Sequence, residues 1–147
     1  MAGRQRRESP VTAARATVVV MTTPAQPIKV VIAARTAVGR AFREALASAG
    51  IEVAADCRSS AELLEAVGRE RPDVCILDRE LSGGGLVATA AIAAPHRAPH
   101  VLIVGGYGSA AERRAARLAG AADCLPLDVD AAHLAAAVTA LARKEHT

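Results

Sequence analysis

Aromatic side chains are almost absent from this sequence. It has one phenylalanine, Phe42, one tyrosine, Tyr107, and no tryptophan. Surfaces that bind single-stranded nucleic acid commonly stack the bases on aromatic rings. The sequence therefore disfavours nucleic acid as a partner.

Cysteines and long apolar segments are also scarce. The three cysteines, Cys57, Cys75 and Cys124, contain no Cys-x-x-Cys pair, which disfavours a zinc site and favours a reducing cytoplasm. Cys75 and Cys124 are expected to be small core residues. No apolar run approaches the roughly 20 residues that cross a membrane, so no membrane partner is expected. Both Met1 and Met21 are candidates for the start of the protein.

The excess of positive charge is confined to the beginning of the chain. The net charge is +3, and residues 1–27 account for all of it, with four arginines and one glutamate. We therefore expect a flexible basic arm over 1–27, a neutral folded domain over 28–143 and a short tail over 144–147. Such an arm could contact nucleic acid or acidic lipid, but a solvated tail is the favoured interpretation.

From residue 28 onward, strand and helix patterns alternate five times. Apolar runs predict strands at 30–32, 51–54, 74–77, 101–104 and 124–125, and helical spacing predicts helices between and after them. Ser59 with Glu62 and Ser109 with Glu112 predict two capping boxes, and Asp130 is predicted to cap the last helix. Strands one, three and four are continuously apolar, which indicates parallel strands covered on both faces. With right-handed crossovers, this predicts an α/β fold, a doubly wound (βα)5 flavodoxin-like parallel sheet with strand order 2-1-3-4-5.

Asp78 is the most conspicuous candidate for a functional residue. It ends the third apolar run, and open α/β sheets bind their ligands at the carboxyl ends of their strands. The predicted strand order places Ala34 and Arg35, which follow strand one, beside it. Arg35 either pairs with Asp78 or points into water and leaves Asp78 as a solvated acid at the end of its strand. If the pair forms, the cation should lower the pKa of Asp78.

Two segments carry a resemblance to a known family. The stretch Arg71-Pro72-Asp73-Val74-Cys75-Ile76-Leu77-Asp78 and the Gly-Ala turn within 119–123 resemble the receiver domain of bacterial two-component response regulators. The resemblance extends from residue 28 to about residue 143. It implies the fold predicted above. It also implies that Asp78 is a candidate to accept a phosphoryl group from a histidine kinase, in the presence of Mg²⁺.

The rest of the family's site is missing from this sequence. Ala34 and Arg35 stand where the family has two metal-binding acids, Gly105 where it has Thr or Ser, and Leu127 where it has Lys. Phosphoryl transfer needs the charge of the transferred group to be offset by cations. We therefore interpret the chain as a degenerate receiver, or pseudo-receiver, that is not an enzyme. Binding of Mg²⁺ is expected to be weak or absent.

The sequence favours a cytoplasmic signalling domain that acts mainly through protein contacts, with weak or no phosphorylation. The partner would be a histidine kinase, an output protein or a second copy, bound through helix four, strand five and helix five. Arg113, Arg114 and Arg117 are predicted to form the interaction surface, with Leu118 as the only large inward residue of that helix. The alternative interpretation of the three arginines is a solvated face.

Two other functions stay open. One is a working phosphoacceptor that uses Asp78 in a nonstandard pocket. The other is a small-ligand or nucleotide-binding module that uses the loop Gly105–Gly108. That loop lies within a G-x-G-x-x-A pattern, and Asp128 follows Gly108 by 20 residues, as in dinucleotide-binding proteins.

Overall fold

The computed structural model describes residues 27–95 and 98–144, which form a five-stranded sheet with helices on both faces. The predicted arm, except for residue 27, and residues 145–147 of the predicted tail lie outside the described residues. The elements are β1 (Lys29–Ala33), α1 (Thr36–Ser48), β2 (Glu52–Cys57), α2 (Ser60–Glu70), β3 (Val74–Asp78), α3 (Gly85–Ala93), β4 (His100–Val104), α4 (Ala110–Ala119), β5 (Asp123–Leu125) and α5 (Ala131–Ala142).

The sheet has the predicted topology. All four strand pairs are parallel, and the order is β2-β1-β3-β4-β5. This confirms the flavodoxin-like α/β fold. Strand β2 runs three residues beyond its predicted end at residue 54, and its pairing with β1 shifts register between Val30 and Val31.

The core occupies both faces of the sheet, as the continuous apolar runs predict. On one face, Leu46 of α1 and Leu134 and Val138 of α5 pack against Ile32 and Ile76. On the other face, α2, α3 and α4 cover a cluster that includes Val31, Leu77 and Ile103, together with the three cysteines. The cysteines are free and buried, and burial raises the pKa of each thiol, so none is a ready nucleophile.

Helix capping follows the sequence in two of three cases. Ser109 and Glu112 form the predicted capping box, and Asp130 caps α5 by accepting from the His133 amide. Only one of the two hydrogen bonds of the capping box predicted at Ser59 forms, so that prediction is half wrong. Ser59 Oγ accepts from the Glu62 amide, but Glu62 Oε1 accepts from Arg58 N at 2.7 Å. The backbone here is held against the β3–α3 loop by a hydrogen bond from Ser60 N to Ser82 O.

The orientation of α4 differs from the prediction. Leu118 was expected to point inward, but it is 80 % exposed, and Ala116 is the buried residue of this helix. At 100° per residue, two positions separate Leu118 from Ala116 by about 200°, so the two cannot both face the sheet. Helix α4 therefore has very little apolar side chain in the core.

No helix within residues 27–95 and 98–144 has the length and apolar character needed to cross a membrane.

Candidate functional site

The candidate site lies where the chain leaves the carboxyl ends of β1, β3 and β4. Asp78 is the last residue of β3 and has no exposed surface. Arg35 is the N-cap residue of α1 and has extended backbone, with φ −61° and ψ 154°. Because β1 and β3 are adjacent and in register, this backbone brings Arg35 directly over the end of β3.

Arg35 forms a bidentate pair with Asp78. Its Nε donates to Asp78 Oδ2 at 2.6 Å, and its Nη2 donates to Oδ1 at 2.9 Å. Two backbone amides complete the set, Arg35 N to Oδ2 at 3.0 Å and Glu80 N to Oδ1 at 2.9 Å. Each carboxylate oxygen thus accepts two hydrogen bonds, and the four bonds together use about all of the lone-pair sites of the carboxylate. The sequence left open whether Arg35 pairs with Asp78 or points into water, and in the structure the two side chains pair.

The electrostatics of this pair follow from its geometry. Burial acts most strongly on the pKa of Asp78 and by itself would raise it. The hydrogen bonds from the Arg35 side chain and from the amides of Arg35 and Glu80, with the charge of Arg35, outweigh burial. The pKa of Asp78 is therefore lowered below its ordinary value, and the group is a charged carboxylate at neutral pH.

Arg79 belongs to this region although sequence reasoning did not select it. A Cβ added to Gly105 would lie 2.6 Å from Arg79 Cβ, so the start of the Arg79 side chain fills the space beside Gly105. Burial raises the pKa of the Cys124 thiol of β5, and the charge of the Arg79 guanidinium acts in the opposite direction. Nη1 of Arg79 is buried and has no hydrogen-bond partner among the described residues. The available signal in the sequence was Gly105, a glycine at a position where a side chain is expected. It leaves room for the side chain of Arg79, which lies two elements earlier in the chain.

A pocket of about 790 Å³ opens beside the pair. Leu127, which is 44 % exposed, forms part of its wall. The pocket is lined by residues of four loops and by one residue of α4, namely Arg35, Arg79, Glu80, Gly105, Gly106, Tyr107, Glu112, Leu127 and Asp128. Gly105 and Leu127 supply neither a hydroxyl nor an ammonium group to this space. Ala34 is buried in the core and does not line the pocket.

These residues do not fit a bound Mg²⁺ ion. Mg²⁺ prefers octahedral oxygen ligands, but the oxygens of Asp78 are already hydrogen-bonded and the adjacent side chain is the Arg35 cation. Ala34 offers no side-chain ligand. Within the described parts of the chain, no three His, Cys, Asp or Glu side chains come together at a spacing suited to a metal ion.

A carboxylate of α4 binds backbone amides of the glycine loop that precedes this helix. Glu112 Oε1 accepts from Tyr107 N at 3.0 Å and from Ser109 N at 2.9 Å. Hydrogen bonds from these amides, that of Ser109 foremost, lower the pKa of Glu112. A phosphate group bound here would need the same amides and would face a charged carboxylate, so the loop is a poor cradle for a nucleotide.

The three arginines of α4 lie together on the surface. Arg113, Arg114 and Arg117 are exposed, and with Ala110 and Leu118 they line a shallow groove of about 500 Å³. No ion pair in the described residues involves any of the three. This basic groove shares no lining residue with the pocket beside the pair of Arg35 and Asp78.

Known structures share this architecture. The signal receiver domain of NarL from Mycobacterium tuberculosis is 25% identical, with a TM-score of 0.75 over 82% of this chain and 99% of that one. The receiver domain of NtrX from Brucella abortus is 20% identical, with a TM-score of 0.72 over 80% of this chain and 99% of that one. The receiver domain of RstA from Klebsiella pneumoniae, in its BeF3-activated form, is 20% identical, with a TM-score of 0.71 over 79% of this chain and 99% of that one. Among curated proteins, no sequence is significantly similar to this chain.

The sequence also matches a family directly. The match to the response regulator receiver domain covers residues 29–139, which include the five strands of the described sheet and the site around Asp78. The chain therefore belongs to the response regulator receiver domain family of two-component signalling systems.

Proposed function

We propose that this receiver signals mainly through protein contacts and that phosphorylation of Asp78 is weak or absent. The observation that carries the proposal is the Asp78 carboxylate, whose two oxygens accept four hydrogen bonds, two of them from the guanidinium of Arg35. A cation of the protein thus stands beside the acid where a receiver would hold its metal ion. The domain has no enzymatic role in this proposal.

Phosphoryl transfer to Asp78 would meet two obstacles. A carboxylate oxygen must first give up its hydrogen bonds before it can attack phosphorus, and the bidentate pair holds both oxygens. The product would then carry charged oxygens that Gly105 and Leu127 cannot stabilise, because neither has a polar side chain. Catalysis of this transfer depends mainly on such positioning and charge stabilisation.

The direct test is a titration with Mg²⁺, alone and with a beryllofluoride phosphoryl mimic, observed through backbone amide shifts. We expect no saturable change near Asp78 at sub-millimolar Mg²⁺, because the acid is paired and its neighbours are not metal ligands. The matched variant Arg35→Asp removes the cation and adds a second carboxylate, so it should bind Mg²⁺ more tightly than the native chain. Saturable binding by the native chain would instead support the alternative of a working phosphoacceptor in a nonstandard pocket.

We further propose that the partner surface is the α4–β5–α5 side of the domain. Receivers interact with histidine kinases and output domains in two-component systems, and either is a candidate partner here. The exposed arginines Arg113, Arg114 and Arg117 favour an acidic patch on that partner. The free, buried cysteines support a cytoplasmic location.

Measurements of signalling output in the native host distinguish a role of protein contacts from a role of Asp78 phosphorylation. The variant Asp78→Asn cannot be phosphorylated but keeps the shape of the acid, and we expect it to leave signalling output nearly unchanged. Charge reversal at Arg113 and Arg117 should abolish output while the melting temperature stays close to native, because exposed substitutions usually change stability by under ~0.5 kcal/mol. Loss of output in Asp78→Asn with a native melting temperature would contradict the proposal.

The ligand-binding alternative has less support. The amides of Tyr107 and Ser109, which a phosphate would need, already donate to Glu112. The G-x-G-x-x-A pattern also follows β4 rather than the first strand of a dinucleotide-binding unit.

A further inference from the structure

Helix α3 presents an uncharged surface to the outside of the domain. Its nine residues, Gly85–Ala93, include no charged side chain. Val87 is 70 % exposed, and Ala90 and Ala91 are exposed beside it. A helix that is apolar on all sides is normally buried on all sides. The outer face of α3 is therefore expected to be covered in the assembled protein.

The helices on either side of α3 carry opposite charges. Helix α3 packs between α2 and α4. Helix α4 exposes Arg113, Arg114 and Arg117, whereas α2 exposes Glu62 and Glu65. The exposed Arg69 of α2 is already paired with Glu70. Neither the three arginines nor Glu65 takes part in an ion pair within the described residues. The face formed by α2, α3 and α4 thus runs from acidic through apolar to basic.

Leu64 extends the apolar part of this face towards α2. It is 45 % exposed and lies one helical turn after Ser60. Ser60 lies against the β3–α3 loop, because a Cβ at Gly83 would collide with the Ser60 side chain. Residues four apart share a helix face, so Leu64 is on the side of α2 that faces α3. Leu64 and Val87 therefore belong to the same patch.

This pattern of charge is complementary to itself. The strands are all parallel, so α2, α3 and α4 all run in the same direction across the sheet. A two-fold axis parallel to α3 would place α3 on α3 of a second copy, and α4 on α2. Basic α4 would then meet acidic α2 twice, once on each side. A two-fold axis perpendicular to α3 would instead bring the arginines of both copies together, which like-charge repulsion disfavours.

We propose that this chain forms a homodimer through the α2–α3–α4 face. Val87 and Leu64 form its apolar centre, and Arg114 of one copy pairs with Glu65 of the other at its rim. Glu65 is the sixth residue of α2 and Arg114 the fifth of α4, so they lie at similar heights, since each residue rises ~1.5 Å along a helix. The proposal does not depend on the phosphorylation state of Asp78, and it uses a face that shares only α4 with the partner surface above.

The test is sedimentation of the full chain over a range of concentrations. We expect the native chain to dimerise and Val87→Glu to weaken the dimer by about tenfold or more, because it puts a charge in the apolar centre. The control is Ala140→Glu, which changes an exposed alanine of α5 that lies outside the proposed face. This control should dimerise as the native chain does. Melting temperatures establish that both variants are folded.

A charge exchange supplies the second, independent measurement. Glu65→Arg and Arg114→Glu should each weaken the dimer, and the double variant should recover most of the lost affinity, because the rim pair is restored with its charges exchanged. A native chain that stays monomeric at all concentrations overturns the proposal. So does a dimer that Ala140→Glu disrupts and Val87→Glu does not, since that result places the interface on α4–β5–α5. Single charge variants without effect, or a double variant without recovery, also overturn it.

Discussion

Replacing Arg35 by alanine is expected to destabilise the protein and to raise the pKa of Asp78. The change leaves a buried carboxylate with two backbone donors instead of four hydrogen bonds. Loss of a partner from a fully buried ion pair costs about 3–5 kcal/mol. Because about half of the Arg35 side chain is exposed, solvent replaces part of the lost interaction, and we expect about 1–3 kcal/mol. Urea unfolding at neutral pH measures this free energy.

The pH dependence of stability should change in a defined direction. The lowered pKa of Asp78 means that its contribution to stability is present above the unfolded value, near ~3.9, and is lost as the pH falls through the lower folded value. In Arg35→Ala, burial still opposes ionisation of Asp78, but the hydrogen bonds and the charge of the Arg35 side chain no longer offset it. The folded pKa of Asp78 therefore rises, and its stabilising contribution shrinks or reverses. Carboxyl chemical shifts across a pH titration report the two pKa values directly.

Two controls make this result specific to the pair. Arg69→Ala removes another arginine that pairs with a carboxylate, Glu70, but on the surface, and should cost under ~1 kcal/mol. The double variant Arg35→Ala with Asp78→Asn removes the buried charge together with its partner, so it should be more stable than Arg35→Ala alone. Identical titration of Asp78 in the native chain and in Arg35→Ala would show that the pair does not act on the acid in solution.

Replacing Gly105 by alanine is expected to be strongly destabilising although the change adds one methyl group. The new Cβ would lie 2.6 Å from Arg79 Cβ and 3.4 Å from Arg79 N. These atoms belong to the backbone or are attached directly to it, so they cannot move aside as the end of a flexible side chain can. Overpacking of this kind typically costs about 1–3 kcal/mol. Thermal or urea unfolding of Gly105→Ala measures the loss.

The matched control is Gly68→Ala in α2. No atom outside its own helix lies within 4 Å of a Cβ at that position, so alanine should stabilise the helix by up to about 1 kcal/mol. Arg79→Gly in the Gly105→Ala background should recover part of the loss, whereas Arg79→Ala should not, because alanine keeps the colliding Cβ. Equal effects of alanine at positions 68 and 105 would contradict this account. If the account holds, the hydroxyl residue that receivers carry at this position cannot be restored without a change at Arg79.

The sequence alone predicted the fold and the place of the candidate acid. The alternation of apolar runs with helical spacing, and the difference between the central strands and the polar β2, were enough for the strand order. These are local, periodic signals, and each is repeated over several residues. They also located Asp78 at the carboxyl end of β3 and Arg35 beside it, since the order of parallel strands determines which loops meet.

Side-chain directions were less predictable from the sequence. Leu118 was expected to be inward on hydrophobicity alone, but Ala116 takes that position, and Leu118 lies about 200° away from it around the helix. Glu112 was expected to cap α4, and it does. Its further hydrogen bond to Tyr107 N, which closes the glycine loop, depends on the folded path of that loop.

Whether Arg35 would meet Asp78 was decided only by the tertiary structure. The two residues are 43 positions apart, and a loop residue beside an acid can point towards it or into water. The extended backbone of Arg35 at the start of α1 and the buried end of β3 together select the bidentate pair. The same holds for Arg79, which takes the space beside Gly105 two elements further along the chain. Periodicity in a sequence reports which face of an element is covered, whereas contacts between loops depend on where the assembled sheet places their ends.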